Sequence, residues 1–145
     1  MLKYWIWMAE LPGLTNQARL ALLRHFGTPE NAYYADAGEI LLTEGITKKQ
    51  AEALEEKNLA AAGKILSDCR RLGLRVLTFQ DAEYPNRLRN IYDPPFLLYV
   101  RGRLPAIDEE PVITVVGTRR CTPYGETCGE KLGYGLARGG AVVVS

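Results

Sequence analysis

Several features that define specialised classes of protein are scarce or missing in this sequence. No stretch approaches the roughly 18 apolar residues of a membrane-spanning helix. The apolar start, residues 1–8, is soon followed by Glu10 and has no small-residue cleavage site, which argues against a signal peptide. The three cysteines, Cys69, Cys121 and Cys128, form no CxxC pair and no even framework. We therefore expect a reduced cytoplasmic protein, with no membrane partner and no disulfide scaffold.

The chain also lacks an excess of charge of either sign, since 18 basic and 17 acidic side chains leave a formal net charge of +1. The whole molecule therefore has no strong attraction for nucleic acid or membrane. The distribution is uneven, however. Residues 30–56 carry seven acidic and two basic side chains, and residues 57–103 carry nine basic and four acidic ones. This contrast predicts two modules with different surfaces, although solvated faces also produce such runs.

The first half of the sequence, residues 1–72, predicts a helical module. Residues 4–8 are apolar enough for a short buried helix, and Thr15 is placed to cap a helix over residues 15–26. Thr28 and Pro29 are typical of the first positions of another helix. Further helices are predicted from residue 48 to about 56 and over 58–72, the last with Cys69 and Leu72 on its apolar face.

One local pattern occurs twice in this module. Leu11-Pro-Gly-Leu-Thr and Glu44-Gly-Ile-Thr each place a glycine and an apolar residue before a threonine cap. The repeat resembles helix-hairpin-helix units, which present backbone amides at a helix N-terminus to DNA phosphate. The alternative interpretation is that the glycines only form helix–helix turns, and the acidic residues around the second copy favour it.

The second half, residues 73–145, changes to strands and turns. Strands are predicted over residues 74–79, 96–100, 112–116 and 141–144, with a C-cap at Gly73 and polar, proline-rich connections between the first two strands. Thr122 is placed to cap a helix over residues 123–138. The third strand is continuously apolar, as expected of a strand buried on both faces. Strand, helix and strand over residues 112–145 predict one βαβ unit of a doubly wound α/β sheet.

The segment between that strand and that helix carries the candidate site, which consists of Gly117, Thr118, Arg119, Arg120 and Thr122. In such sheets ligands bind at the carboxyl ends of strands, and a helix N-terminus favours phosphate. The glycine is expected to let the backbone turn and approach an anion, while hydroxyls and guanidinium groups bind phosphate oxygens. Alternatively, the arginines are solvated surface charges. The segment is neither GxGxxG nor a P-loop, so a dinucleotide is not expected.

Three stretches together carry a resemblance to a known family. They are Tyr84-Pro-Asn-Arg-Leu-Arg-Asn-Ile-Tyr-Asp-Pro-Pro-Phe-Leu-Leu-Tyr-Val-Arg-Gly, Val115-Val-Gly-Thr-Arg and Thr122-Pro-Tyr-Gly. In order and spacing they resemble the bacterial DNA-processing protein A family (DprA, also called Smf). The preceding helical module is similar to that family's N-terminal domain. The resemblance implies a helix-hairpin-helix (SAM-like) module followed by the first, incomplete part of an extended Rossmann-like sheet.

The resemblance also implies a function. Members of this family bind incoming single-stranded DNA in natural transformation, protect it, load the RecA recombinase and act as homodimers without known catalysis or cofactor. Carried over by position, Gly117, Thr118 and Arg119 would hold DNA phosphate, with Thr122 and the helix N-terminus beside them. Cys121 and Cys128 stand where small residues are common and are interpreted as packing substitutions.

Family members continue beyond the last strand into further helices and strands, so we expect these 145 residues to be a fragment. Two other functions stay open. The Gly117-Thr-Arg-Arg stretch also resembles the loop of LOG-type nucleoside-monophosphate phosphoribohydrolases, which lack the helical module and the Tyr-Pro…Asp-Pro-Pro segment. The helical module also suits docking of a partner protein through its acidic face. His25 is the single histidine and lies next to Phe26 in the helical module, so we interpret it as structural rather than catalytic.

Overall fold

Six helices precede the first strand in the computed structural model, which describes residues 1–145. The helices are α1 (Leu2–Glu10), α2 (Asn16–Phe26), α3 (Pro29–Tyr34), α4 (Ala37–Leu41), α5 (Lys48–Ala53), α6 (Ala60–Leu72), α7 (Asn86–Arg89) and α8 (Pro123–Arg138). The strands are β1 (Leu74–Thr78), β2 (Leu97–Arg101), β3 (Val112–Thr114) and β4 (Val142–Val144). The mixed α/β class is thus confirmed. None of the helices has the length and apolar character that crossing a membrane requires.

Helix α1 is the centre of the first hydrophobic core. Its residues 4–8 are all buried, so this helix is apolar on every side and other elements surround it. The Trp5 ring packs against Phe96 with centroids 4.7 Å apart. The Trp7 indole donates a hydrogen bond of 2.7 Å to the carbonyl of Glu56. The predicted short buried helix is confirmed.

The predicted helix starts are also confirmed, because each is determined by residues close in sequence. The Thr15 hydroxyl accepts from the amide of Ala18 at 3.2 Å, and the Thr28 hydroxyl accepts from Asn31 at 3.1 Å. Thr47 caps α5 in the same way, and its own amide donates in return to the side-chain oxygen of Gln50. Helix α5 ends at Ala53 rather than near residue 56. The chain leaves the helix there, and the carbonyl of Glu56 then binds the indole of Trp7.

Helix α6 fits its predicted range closely and buries Ala62 and Cys69. Leu72 was predicted on the same face but is 52% exposed. At about 100° per residue Leu72 lies about 80° around the helix from Ala62, at the rim of the apolar face. Gly73 follows with φ of +65°, the left-handed conformation that ends helices and favours glycine.

Strands β1 and β2 pair antiparallel, with Leu74 opposite Arg101 and Thr78 opposite Leu97. The connection between them contains α7, a short helix that the polar, proline-rich sequence does not predict. This two-stranded ribbon packs on the helices and buries Leu77, Phe96 and Val100. The chain consequently divides into compact units Met1–Gly102 and Arg103–Ser145, whereas the predicted boundary followed residue 72.

The second unit is the predicted βαβ arrangement. Strands β3 and β4 pair in parallel, with Val112 opposite Val142, and α8 connects them. The four strands of the chain form two separate sheets of two strands. The expectation that the third strand is buried on both faces is wrong, since Ile113 is 38% exposed and Val112 is half-buried. A sheet only two strands wide has too few neighbours to cover both faces.

Candidate nucleic-acid interface

The loop between β3 and α8 is held at both of its ends. At its start the amide of Val115 donates a 2.8 Å hydrogen bond to the carbonyl of Val144, which extends the parallel ladder by one residue. At its end the hydroxyl of Thr122 accepts from the amide of Gly125 at 3.2 Å, as a helix N-cap. The loop therefore starts from the carboxyl end of a parallel strand and leads directly into a helix N-terminus, where α/β proteins collect anionic ligands.

The backbone of this loop offers free donors. No amide from residue 116 to residue 122 donates a hydrogen bond within the chain. The amide of Tyr124, at the second helical position, has no acceptor in the helix either. These N–H groups lie at the positive end of the dipole of α8, which is 16 residues long. Together they provide the donors that a phosphate oxygen needs.

The side chains of Arg119 and Arg120 are exposed and have no acidic partner within the chain. Two cations at a helix N-terminus are repelled by the positive end of the helix dipole and by each other. The only carboxylate in the first turn of α8 belongs to Glu126, and it forms no ion pair with either arginine. An anion between them would relieve the repulsion and bring the guanidinium groups and free amides onto one ligand.

The glycine and threonines of the loop have more specific roles than the sequence indicated. Gly117 does not have a left-handed φ, and a Cβ added to it would meet no atom within 4 Å. The turn itself therefore does not require glycine at this position. Only the close approach of a ligand to the backbone would require it. The hydroxyl of Thr118 is exposed, whereas the oxygen of Thr122 already accepts the capping bond and keeps its proton to donate.

Three further side chains near the loop are exposed. Tyr124, in the first turn of α8, is 79% exposed and presents an aromatic ring to solvent. Cys121 and Cys128 are also exposed and free, so the interpretation of both as packing substitutions is wrong. Cys121 lies in the loop before α8 and Cys128 lies on α8, and no other element of the chain covers either side chain.

The repeated glycine pattern of the helical module has one backbone geometry. Gly13 has φ of +81° and Gly45 has φ of +83°, and each is followed two residues later by a threonine that caps a helix. The two copies are therefore structurally equivalent turns. This equivalence confirms the local repeat, while contact of either turn with DNA stays a prediction.

Two of the nine basic side chains of residues 57–103, Arg89 and Lys57, are engaged inside the protein. Arg89 donates to the carbonyls of Phe79 at 2.7 Å, Asp81 at 3.1 Å and Tyr84 at 3.3 Å. The ammonium of Lys57 lies over the rings of Trp7 and Tyr33, and burial lowers the pKa of Lys57. These two cations are therefore not free to contact an anionic partner.

The fold and the loop together define an α/β protein whose strand-to-helix connection is suited to an anionic ligand. Comparison with known proteins narrows this class. Residues 75–145 match the sequence profile described as DNA recombination-mediator protein A. Protein Smf of Synechocystis sp. is 29% identical over 146 residues, and the DNA processing protein DprA of Bacillus subtilis is 30% identical over 105 residues.

The chain belongs to the DNA recombination-mediator protein A family, also called DprA or Smf. The two alignments cover 98% and 69% of this chain but only 37% and 35% of the relatives. The chain therefore spans about a third of the length of the curated relatives that it matches. No solved structure gives a significant match.

Proposed function

We propose that this chain binds single-stranded DNA as part of a protein that processes DNA for recombination during natural transformation. The observation that carries the proposal is the loop between β3 and α8. Its unpaired amides and two unpartnered arginines surround the N-terminus of a long helix. Gly117, Thr118, Arg119, Arg120 and Thr122 are the proposed contacts to DNA phosphate.

The chemistry of the loop suits a single strand more than a particular base sequence. Backbone amides, hydroxyls and guanidinium groups recognise phosphate oxygens, which every nucleotide carries. The exposed ring of Tyr124 adjoins these donors along the chain, and base–aromatic stacking tolerates any base. We therefore expect affinity that depends strongly on salt and little on sequence.

The proposed partners of the whole protein are a RecA-type recombinase and a second copy of the same chain. The bound strand is proposed to be protected until the recombinase is loaded. The description of the matching family as a recombination mediator supports the recombinase. We further propose that the βαβ unit is part of a Rossmann-like domain, that the helical module is of the helix-hairpin-helix type, and that the protein works in the cytoplasm by binding rather than catalysis.

The direct test is fluorescence anisotropy of a labelled oligo-dT strand titrated with wild type and with Arg119→Ala. A charge-assisted hydrogen bond contributes about 1.5–3 kcal/mol, so the variant should bind at least about tenfold more weakly. Arg119→Lys keeps the charge but loses the planar fork and should fall between the two.

The matched control is Arg138→Ala, which removes an exposed arginine from the last turn of the same helix. It should bind like wild type, because cations at a helix C-terminus are far from the proposed phosphate. Equal losses for Arg119→Ala and Arg138→Ala would show that only net charge matters. Wild-type affinity of Arg119→Ala would remove the loop from the DNA interface.

A further inference from the structure

The helical unit contains a cleft that the proposed function does not use. It has a volume of about 600 Å³ and lies between α2 and the turn that contains Gly45. It is lined by Thr15, by one face of α2 between Gln17 and His25, and by Glu44 and Gly45 of that turn. Both copies of the repeated turn pattern contribute, through Thr15 and Gly45.

The shape of the cleft follows from small side chains on α2. Ala18 and Ala21 are buried, at 4% and 9% exposure, and form part of its wall. Their short side chains leave the space between α2 and the turn that contains Gly45. From Gln17 to Arg24 the lining extends over seven residues, which is roughly 10 Å at 1.5 Å per residue. Both the length and the volume suit a ligand of the size of one nucleotide.

The charged side chains that line the cleft, Arg24 and Glu44, form no ion pair. Arg24 and His25 are exposed at the C-terminal end of α2, and Glu44 lies on the turn. No ion pair or hydrogen bond joins Arg24 to Glu44, although both line the cleft. The imidazole of His25 packs edge-on against Phe26 with centroids 4.6 Å apart, which limits its rotation. A ligand with an anionic group and a separate hydrogen-bond donor would satisfy both sides.

We propose that this cleft binds a nucleoside phosphate whose base carries an exocyclic amino group, such as a cytosine nucleotide. The phosphate contacts Arg24 and His25, and the amino group donates to the carboxylate of Glu44. The same chemistry occurs in a free mononucleotide and in one nucleotide of a DNA strand. The inference involves none of the residues of the loop between β3 and α8.

The test is a titration of the full 145-residue chain, labelled with ¹⁵N, followed by NMR. The probes are dCMP, dTMP, inorganic phosphate and the tetranucleotide of dC. We expect saturable shifts of the amides of Gln17 and Gly45 with dCMP, and weaker binding of dTMP, which has no amino group. Saturation by the tetranucleotide at much lower concentration than by dCMP would identify the DNA strand as the source, and the reverse would identify the free nucleotide.

Three variants make the test specific. Arg24→Ala should weaken dCMP binding at least about tenfold, since it removes a charge-assisted contact. Glu44→Gln should reduce the preference for dCMP over dTMP while phosphate still binds. Arg70→Ala removes an exposed, unpartnered arginine from α6 and should bind like wild type.

Two results would overturn the inference. One is the absence of saturable shifts at Gln17 and Gly45 with every nucleotide probe. The other is equal shifts with inorganic phosphate and with dCMP, which would leave an anion site without nucleoside recognition. Arg119→Ala separates this inference from the proposed function, because it should leave dCMP binding in the cleft unchanged while it weakens binding of oligo-dT.

Discussion

Individual arginines of this chain have two opposite roles. Arg19 points into the helical unit, where its guanidinium donates to the carbonyls of Met8 at 2.8 Å, Ala9 at 2.6 Å and Leu11 at 3.2 Å. These carbonyls belong to the end of α1, where the helix has no internal donors left. Arg119 and Arg120, in contrast, extend from a loop without partners. Only arginines of the second kind are available to a ligand.

Replacing Arg19 by methionine keeps much of the aliphatic volume and removes the donors at the end of α1. We expect a loss of about 2–3 kcal/mol in the free energy of unfolding, since several carbonyls lose a charged partner. Urea unfolding followed by tryptophan fluorescence measures this loss. The control is Arg24→Met on the same helix, whose exposed side chain should change stability by less than about 0.5 kcal/mol. Equal losses for the two variants would contradict the role given to Arg19.

Among the elements, the glycines of the turns differ in backbone conformation from the glycine inside a helix. Gly13 and Gly45 have left-handed φ values, and an added Cβ would meet nothing within 4 Å at either. The cost of another residue there is therefore backbone strain and not collision. Gly63, inside α6, has ordinary helical geometry and equally open surroundings. The same substitution should have opposite effects at the two kinds of position.

We predict that Gly45→Ala lowers the free energy of unfolding by about 1–2 kcal/mol, because an alanine is strained at left-handed φ. Gly63→Ala should raise it by about 0.5–1 kcal/mol, because alanine is the better helix former. Thermal and urea unfolding of both variants beside wild type measure the difference. A stabilising effect of Gly45→Ala would show that this turn is not held in the left-handed conformation.

The elements that the sequence predicted best are those determined by neighbouring residues. Thr15, Thr28 and Thr122 each cap a helix through a residue three positions on, so their pattern was sufficient. The helices α4 and α7 were missed because they are short, although the Asp36 and Glu39 capping box marked the first of them. The exposure of Leu72 and of β3 depends on what packs against them, which local patterns do not contain.

The same distinction applies to the candidate site. Gly117 to Thr122 are contiguous, so their common position on a strand-to-helix loop followed from the order of the predicted elements. The order of the elements did not show that the loop amides and Arg119 are unpaired. Any acidic side chain folded nearby would have neutralised them. The cleft beside Arg24 was also not foreseen, because residues 15–25 and 44–45 meet only in the folded chain.

In the molecule as a whole, three tyrosines link stability to alkaline pH. Burial raises the pKa of Tyr84 and of Tyr99 above the ordinary value of 10.0, and the hydrogen bond to Tyr34 raises the pKa of Tyr4. In the folded state these groups keep their protons at pH values where the unfolded chain has lost them. Their contribution is complete below about pH 10 and decreases as the pH rises through the folded-state values.

We therefore predict that the free energy of unfolding falls between pH 9 and pH 11. Lys57 opposes this trend, because burial lowers its pKa and its cost disappears as the pH rises toward 10.5. One lysine against three tyrosines leaves a net loss. Urea unfolding at several pH values measures the slope. Tyr84→Phe should flatten it and also lose about 1 kcal/mol at pH 8, since the Tyr84 hydroxyl donates to Pro95 at 2.7 Å.

Arg119 is proposed to neutralise a phosphate of single-stranded DNA, and the salt dependence of binding tests this role most directly. The logarithm of the affinity for single strands falls with the logarithm of salt concentration by about 0.7 per phosphate neutralised. For oligo-dT we predict that the slope for Arg119→Ala is shallower than for wild type by about 0.7. Slopes that are equal within error would contradict the claim, because they would mean that Arg119 displaces no counterion from the strand.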